Sequence, residues 1–342
     1  MNELDLVRTF RERVPEPDPA AIARARQAVM AGRPAAAPRR RRLPAGARWL
    51  AAGVVAAGTA AALVLATSVP KAPERTDPTL ALVLDHAAGV AASRRDPGRL
   101  GPGRYYYARS LATVLATTGG DDKHSFSVLQ EVSREFWVTA DGSGRIKERT
   151  GRTRFVTPKD KANWERAGRP DLRGPNAGDE RFGPGELGAG STVGDGSYAS
   201  LLALPTDPAK LYALLRKAAA GNGRGTDVEM FVLVSDLLRE TPAPPALQAA
   251  AWRVAAMIPG VDLLGPVTDR AGRHGTGIAK VDRDGVRTEL FFDEATATPL
   301  GERETLTRPL QLSPGVVAPA GTVIEDGVML RTGVVGGVDQ RP

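Results

Sequence analysis

The chain has 342 residues, of which 42% are hydrophobic, 25% charged and 5% aromatic, and this ordinary globular composition excludes wholesale disorder and a collagen-like repeat. It contains no cysteine, which excludes disulfides, thiolate zinc sites, iron–sulfur clusters and a cysteine nucleophile. The formal net charge is +7, and residues 1–48 carry most of it, with 11 Arg, no Lys and 5 acidic residues.

Residues 1–48 predict an Arg-rich cytoplasmic segment with two short helices. The helices run from Glu3 to Arg13 and from Pro19 to Met30, separated by a proline-rich break. A segment of this length is too short to bury a substantial core. Two interpretations stay open: the segment docks to a cytoplasmic partner, or it is a solvated tail that only sets topology.

Residues 49–69 predict a single transmembrane helix. These 21 residues carry no charge, and a helix of that length extends about 31 Å, enough to cross a hydrocarbon core. Positive charge precedes the stretch, so the positive-inside rule places the N-terminus in the cytoplasm and the rest of the chain outside the cell membrane. The residues that set this topology are Arg39, Arg40, Arg41, Arg42 and Arg48, with Trp49 as an interfacial anchor.

Three other interpretations of this region fit the sequence less well. A cleaved signal peptide would need a shorter leader and a better cleavage site than Ala66-Thr67-Ser68. A buried soluble helix is rarely uncharged over so many residues. The arginine cluster lacks the interleaved aromatic residues of a nucleic-acid patch, so direct nucleic-acid binding is not expected and contact with anionic membrane lipid is favoured.

Residues 70–342 predict one extracytoplasmic α+β domain, an antiparallel β-sheet with packed helices. Asp77 and Pro78 form an N-cap and N1 pair that opens a helix through about Arg94. The other predicted helices are Pro208–Ala219, Asp227–Glu240 and Pro245–Ile258; the predicted strands are Tyr105–Leu115, Phe126–Val138, Arg145–Val156, Val261–Val267, Thr276–Val281, Val286–Phe292, Leu300–Leu306 and Thr322–Thr332. Residues 158–200, dense in Gly and Pro, predict one long irregular loop.

No catalytic or cofactor motif stands out, so we expect neither an enzyme nor a bound cofactor. The three His residues have no metal-binding spacing, and G-x-S-x-G is absent. Gly183 to Gly188 matches G-x-G-x-x-G, but a proline follows its first glycine and no strand precedes it. The acidic residues fit solvated faces and turns, and no pair of catalytic carboxylates can be identified among them. A hydrolase would have to be an enzyme that lacks a sequence motif.

The aromatic residues of two neighbouring strands give one candidate binding site. Three consecutive tyrosines on the first strand and a Phe-Trp pair on the second place aromatic rings on both faces of a sheet. One face must belong to the core, and the other can line an apolar ligand groove. Cover by the helical block is the competing interpretation. The candidate residues are Tyr105, Tyr106, Tyr107, Phe136 and Trp137.

Several segments together resemble an uncharacterised family of actinobacterial single-pass membrane proteins, whose genes commonly lie beside extracytoplasmic-function sigma factors. The matching segments are Glu3 to Asp18, the Arg cluster with the apolar span, Phe136 to Arg145, Leu204 to Pro208, Leu247 to Val261, Glu289 to Asp293 and Leu300 to Glu302. The resemblance implies a partner or regulator of sigma-factor signalling and brings no catalytic residues. At the level of architecture, the domain is also similar to periplasmic lipoprotein-carrier and sigma-regulatory sensor domains.

These inferences favour a membrane-anchored, non-enzymatic sensor or regulatory protein with an extracytoplasmic domain that binds a ligand or protein partner. The cytoplasmic segment would then contact a sigma factor or another regulator. The alternative is a membrane-tethered carrier that binds a lipid or lipoprotein.

Overall fold

The computed structural model describes residues 77–95, 100–118, 121, 123–172, 178–187, 196–313 and 316–342. The predicted transmembrane helix 49–69 and the segment 1–48, with the arginines and Trp49 that set their topology, lie outside these residues. No helix within the described ranges is long and apolar enough to cross a membrane.

The described residues form a large sheet and a set of helices. The helices are α1 (Pro78–Ser93), α2 (Pro158–Arg166), α3 (Tyr198–Leu202), α4 (Pro208–Ala219), α5 (Thr226–Arg239) and α6 (Pro245–Met257). The strands are β1 (Tyr105–Thr117), β2 (Ser127–Val138), β3 (Gly144–Phe155), β4 (Gly178–Phe182), β5 (Val261–Thr268), β6 (His274–Val281), β7 (Val286–Asp293), β8 (Thr298–Leu306), β9 (Leu310–Ser313), β10 (Val316–Ala318) and β11 (Val323–Val335).

Nine strands join in one antiparallel sheet with the order β4-β3-β2-β1-β11-β8-β7-β6-β5, which confirms the predicted α+β class. The last long strand, β11, pairs with the first, β1, and so joins the two hairpin series into a continuous sheet. Asp284 and Gly285 form the turn that links β6 to β7, and Gly285 has a φ of 81°, a conformation that glycine adopts without strain.

Most helices begin where the sequence signals them. Asp77 accepts a hydrogen bond from the backbone N–H of Thr79 at 2.8 Å and precedes Pro78, the N1 residue of α1. Asp207 caps α4 in the same way, through the N–H of Lys210 at 2.9 Å. Each cap satisfies a backbone donor that the first helical turn leaves unpaired.

One face of the sheet, the helix face, carries the main core beneath α1, α4, α5 and α6. Trp252 of α6 and Phe292 of β7 are fully buried, with ring centroids 4.6 Å apart. Phe231 and Leu84 from the helices and Leu290 from the sheet belong to the same apolar cluster. Burial of such side chains contributes about 1.5–3 kcal/mol each, so the helical layer holds this face in place.

Residues 158–200 are not a single irregular loop, and that prediction is wrong. The stretch contains helix α2, edge strand β4 and the short helix α3. Local polar contacts outweigh the glycine and proline content: Thr157 and Asp160 form a reciprocal capping box at the start of α2, and β4 pairs with β3 through backbone hydrogen bonds. Composition alone therefore misjudged this stretch.

Asp160 joins α2 to the sheet, so its loss should be costly. Its carboxylate is fully buried and accepts hydrogen bonds from Ser127 N at 2.7 Å and from Thr157 N at 2.8 Å. We expect Asp160→Ala to lower the free energy of unfolding by about 2 kcal/mol, because it leaves buried donors unpaired. Denaturant titration checks this, with exposed Lys161→Ala as a control expected to change stability by less than about 0.5 kcal/mol.

The sheet curls towards its second face, which we call the outer face. Arg270, in the turn between β5 and β6, ion-pairs at 2.7 Å with Glu131, an outer-face residue of β2. Strands β7, β8, β11 and β1 lie between β6 and β2, a distance of over 20 Å in a flat sheet at about 4.8 Å per strand. The contact therefore requires strong curvature, which brings the two ends of the sheet together.

Candidate functional site: the outer face of β1 and β2

The candidate aromatic residues divide between the two faces of the sheet. In the β1–β2 register, Tyr107 lies opposite Trp137, and Tyr106 is followed on its own face by Ala108, which lies opposite Phe136. Because strand side chains alternate, Tyr107 and Trp137 point to the outer face and the other two rings point to the helix face. Tyr105 packs against the outer-face pair.

The helix-face pair belongs to the core. Tyr106 and Phe136 meet edge to face, with centroids 5.8 Å apart, and Tyr106 is 6% exposed. Burial raises the pKa of the Tyr106 hydroxyl well above its ordinary value. These two rings pack beneath the helices, as the competing interpretation of the aromatic pattern expected.

The outer-face pair forms a separate apolar cluster. Tyr107 and Trp137 are both fully buried, with centroids 5.2 Å apart, and Val335 of β11 completes the cluster. No helix covers this cluster within the described residues. Its cover is instead a stretch of chain that follows β11, residues 336–342, which we call the tail segment.

The tail segment contacts the aromatic pair through one backbone hydrogen bond. Trp137 Nε1 donates to the carbonyl oxygen of Gln340 at 2.7 Å, and Val338 packs against the rings. Gln340 Oε1 in turn accepts from the backbone N–H of Gly336 at 3.1 Å, which closes the segment into a compact turn. The indole N–H therefore binds a backbone carbonyl, a group that every polypeptide has. The residues on either side of Gln340 are bound through their charged side chains.

Ion pairs lie on both sides of that hydrogen bond. Asp339 pairs with Lys147 at 2.5 Å and also with Arg145, both on β3. Arg341 donates to both carboxylate oxygens of Glu135, from Nε at 2.6 Å and from Nη2 at 3.0 Å. A bidentate arginine–carboxylate pair is among the strongest polar contacts in proteins. The surface thus binds an acidic residue at one end and a basic residue at the other.

The pKa values follow from these contacts. Hydrogen bonds from Arg341, and then from Tyr107, lower the pKa of Glu135 to about 2. Burial, followed by the hydrogen bond to Glu135 at 2.7 Å, raises the pKa of Tyr107 to about 12. The hydrogen bond from Lys147 lowers the pKa of Asp339. Glu135 and Asp339 are therefore ionised, and Tyr107 protonated, across the physiological range.

Sequence reasoning found the aromatic pair but missed its charged partners. Glu135, Arg145 and Lys147 point to the outer face beside Trp137, since they occupy alternate positions on β2 and β3. The alternation of basic and apolar residues along Arg145 to Lys147 was a usable signal. The tail segment gave none, because a contact across about 200 residues has no local pattern.

A second polar cluster lies buried between α5 and the centre of the helix face. Arg239, 3% exposed, ion-pairs with Glu302 of β8 at 2.7 Å, with Asp236 at 3.4 Å and with Glu240 at 3.6 Å. Glu325 of β11, 6% exposed, lies within electrostatic reach of the same group. We call these five residues the Arg239 cluster.

The Arg239 cluster has more acidic than basic groups, and the pKa values of its glutamates are raised. Burial raises the pKa of Glu240 to about 8 and that of Glu302 to about 7, although Arg239 opposes both shifts. Burial, with Glu302 and Glu304 nearby, raises the pKa of Glu325 well above its ordinary value. The expectation that acidic residues lie on solvated faces or in turns is wrong here, because α5 ends against the sheet rather than in solvent.

No arrangement of described residues supports a resident metal ion. No group of three or more His, Asp or Glu side chains among them has a geometry that could hold one. The chemistry of the outer-face site is recognition: an indole N–H, a carboxylate and two cations hold the tail segment in one register.

Comparisons with known proteins give no family. No protein-family model matches the chain, and no curated protein sequence matches it. Among solved structures, the Pseudomonas aeruginosa MucA/MucB complex aligns over 77% of this chain and 58% of that one, at 12% identity and a TM-score of 0.23.

Two further structures align similarly. MucB in complex with MucA(peri) aligns over 76% of this chain and 57% of that one at 11% identity, and a crystal structure of MucB over 78% and 61% at 12% identity, both with a TM-score of 0.23. The chain spans less than two thirds of each solved chain. A TM-score this low does not bear on what the chain binds.

Proposed function

We propose that the chain is a membrane-anchored, non-enzymatic regulatory protein whose extracytoplasmic domain binds a polypeptide partner at the outer face of β1, β2 and β3. The observation that carries the proposal is the seated tail segment: a backbone hydrogen bond from Trp137 lies between an ion pair to Asp339 and an ion pair to Arg341. A partner segment with an acidic residue two positions before a basic one would make the same contacts.

The contacts fit polypeptide better than lipid. Trp137 donates to a peptide carbonyl, and the two ion pairs have opposite signs, so the site fixes the direction of the bound chain. A hydrocarbon ligand would leave the buried indole N–H without an acceptor, which costs about 1–3 kcal/mol. These features support recognition of a short, charged polypeptide segment.

A peptide exchange tests this site. In the full chain, Asp339→Ala with Arg341→Ala removes the ion pairs of the tail segment and opens the surface. A labelled synthetic peptide of residues 334–342 should then bind the opened protein, as measured by fluorescence anisotropy, and should bind the unaltered protein at least tenfold more weakly. The ion pairs lost need to contribute only about 1.4 kcal/mol together for a tenfold effect.

The matched control is a peptide of identical composition in which the residues at positions 339 and 341 are exchanged. It places like charges against Lys147 and Glu135, so the opened protein should bind it poorly. Equal binding of both peptides, or no binding of either, would refute the proposed site.

The cytoplasmic half of the proposal has its own test. Capture of the full-length protein from native membranes is compared with capture of a variant that lacks residues 2–38, which retains Arg39 to Arg42 and hence the proposed topology. A sigma factor recovered only with the full chain supports the regulatory role. Equal recovery from both forms, or recovery of no cytoplasmic protein, counts against it.

A further inference from the structure

Strand β3 carries an unusual number of positive charges on its outer face. Arg145, Lys147 and Arg149 lie on that face opposite Trp137, Glu135 and Ser133, and Arg154 lies there opposite Leu129. Arg152, at the bulge between them, contacts the outer-face residue Glu131. Three neighbouring strands add one residue each, so the basic surface consists of Arg145, Lys147, Arg149, Arg152, Arg154, Arg181, Arg109 and Arg331.

Like charges face one another across this surface. Arg109 of β1 is registered directly opposite Arg331 of β11, and Arg145 of β3 opposite Arg181 of β4. Direct cross-strand pairs of like charge destabilise a sheet. Acidic residues offset part of this repulsion, since Asp179 binds Arg145 through two hydrogen bonds and Glu135 lies opposite Arg109 on its other side. The basic residues still outnumber the acidic ones on this face.

Most of these side chains have no acidic partner. Arg109, Arg149, Arg154, Arg181 and Arg331 are exposed, and within the described ranges none makes an ion pair. Arg152 contacts Glu131 at 3.2 Å, yet its side chain is 91% exposed. The surface therefore presents free guanidinium groups to solvent.

Protection of an exposed strand edge does not account for this pattern. Beyond Glu148, β3 has no outer neighbour among the described strands, and charged residues on such an edge do prevent aggregation. Charges of either sign would serve that purpose, however. Arg109 also lies on an inner strand, registered with β11 on one side and β2 on the other, where no edge needs protection.

We propose that the basic surface of β3 docks the domain onto an anionic lipid bilayer. The inference rests on the proposed membrane anchoring. Only eight residues, 70–77, separate the predicted span from α1. At about 3.5 Å per residue they hold the start of the domain within roughly 28 Å of the bilayer. A bilayer rich in acidic headgroups is then the nearest extended anionic surface. Nucleic acid fits less well, since Tyr107 and Trp137 are buried and unable to stack on bases.

The absence of cysteine allows a direct distance measurement. In the full chain, Ser133→Cys places one dye on the outer face beside Arg149, and Ala213→Cys places a control dye on exposed α4, in the helical layer. Each protein is reconstituted in nanodiscs of phosphatidylcholine, with or without phosphatidylglycerol, that carry an acceptor dye on the headgroups. Energy transfer from position 133 should rise with phosphatidylglycerol and fall again in about 1 M NaCl, where the Debye length is about 3 Å.

The test variant combines Arg149→Gln, Arg154→Gln and Arg181→Gln, none of which contacts the tail segment. Each arginine should contribute about fivefold to docking, so the triple variant should weaken it on the order of a hundredfold. The matched control, Lys210→Gln with Arg216→Gln and Lys217→Gln on α4, removes the same charge and should leave docking unchanged.

Three results would overturn the proposal. One is equal energy transfer from position 133 with and without phosphatidylglycerol. Another is equal loss of docking in both triple variants. In the third, the protein binds single-stranded DNA, the test variant does not, and phosphatidylglycerol has no effect on energy transfer. That result would assign the surface to nucleic acid. Failure of the chain to enter neutral nanodiscs would refute the membrane anchoring itself, a result distinct from these.

Discussion

Replacing Arg239 with methionine is expected to lower the free energy of unfolding by about 3–5 kcal/mol at pH 7. Arg239 is the cation that ion-pairs with Glu302, Asp236 and Glu240, and it is 3% exposed. Methionine fills a similar volume but removes the cation that ion-pairs with Glu302, Asp236 and Glu240, and Arg134 then acts only on Glu240. Protonating these buried carboxyl groups, or keeping them charged in a low dielectric, then costs free energy.

Denaturant titration of the full-length protein, followed by tryptophan fluorescence, measures this loss. Arg216→Met on α4 is the matched control, because Arg216 is half exposed and its contact with Asp227 is 3.6 Å long. It should change stability by less than about 1 kcal/mol, as exposed ion pairs do. A loss of less than about 1 kcal/mol in Arg239→Met would mean that the cluster is not held by charge.

The second large effect is on pH dependence: the folded domain should lose stability as pH rises from about 4.5 to about 8. Glu240, with a pKa of about 8, and Glu302, with a pKa of about 7, both lie above the ordinary glutamate value of 4.5. In this range the folded state keeps protons that the unfolded state has released, so raising the pH favours unfolding. At about 1.4 kcal/mol per pKa unit, the rise of the Glu302 pKa alone, from 4.5 to about 7, corresponds to a fall of about 3 kcal/mol, and Glu240 adds to it.

Glu240→Gln should flatten this dependence, because glutamine supplies the neutral side chain at every pH. Stability of the variant and of the unaltered protein should agree near pH 4.5, diverge in favour of the variant as the pH rises to about 8, and differ by a constant amount above that. Glu135 does not contribute to this pH dependence. Its pKa is about 2, so its carboxylate becomes protonated, and its ion pair is lost, only at lower pH. Parallel pH profiles for the two proteins would contradict the assignment of the shift to Glu240.

Much of the fold was predictable because its signals are local. The Asp77-Pro78 and Asp207-Pro208 pairs mark helix starts, and α4 has the predicted bounds, Pro208–Ala219. The predicted strands agree with the observed ones to within a few residues at each end. Strands β4, β9 and β10 were not predicted, because short strands depend on pairing partners more than on their own composition.

The candidate site was only half predictable, for the same physical reason. Alternation along β1 and β2 predicted aromatic rings on both faces of the sheet, and the observed register then pairs Tyr107 with Trp137 on the outer face. What covers that face depends on contacts between distant residues, such as Trp137 with Gln340, which no local pattern encodes. The Arg239 cluster escaped notice because charge at a helix end usually means exposure, and only tertiary packing buries it here.

The central claim is that the Tyr107–Trp137 surface binds a short polypeptide segment with an acidic and a basic residue two positions apart. Fluorine NMR of the full chain labelled with 5-fluorotryptophan tests it directly, with the Trp137 resonance assigned from Trp137→Phe. Opening the surface with Asp339→Ala and Arg341→Ala should shift that resonance, and the 334–342 peptide should restore it while the peptide with exchanged charges does not. A Trp137 resonance unmoved by opening, or restored equally by both peptides, would contradict the claim.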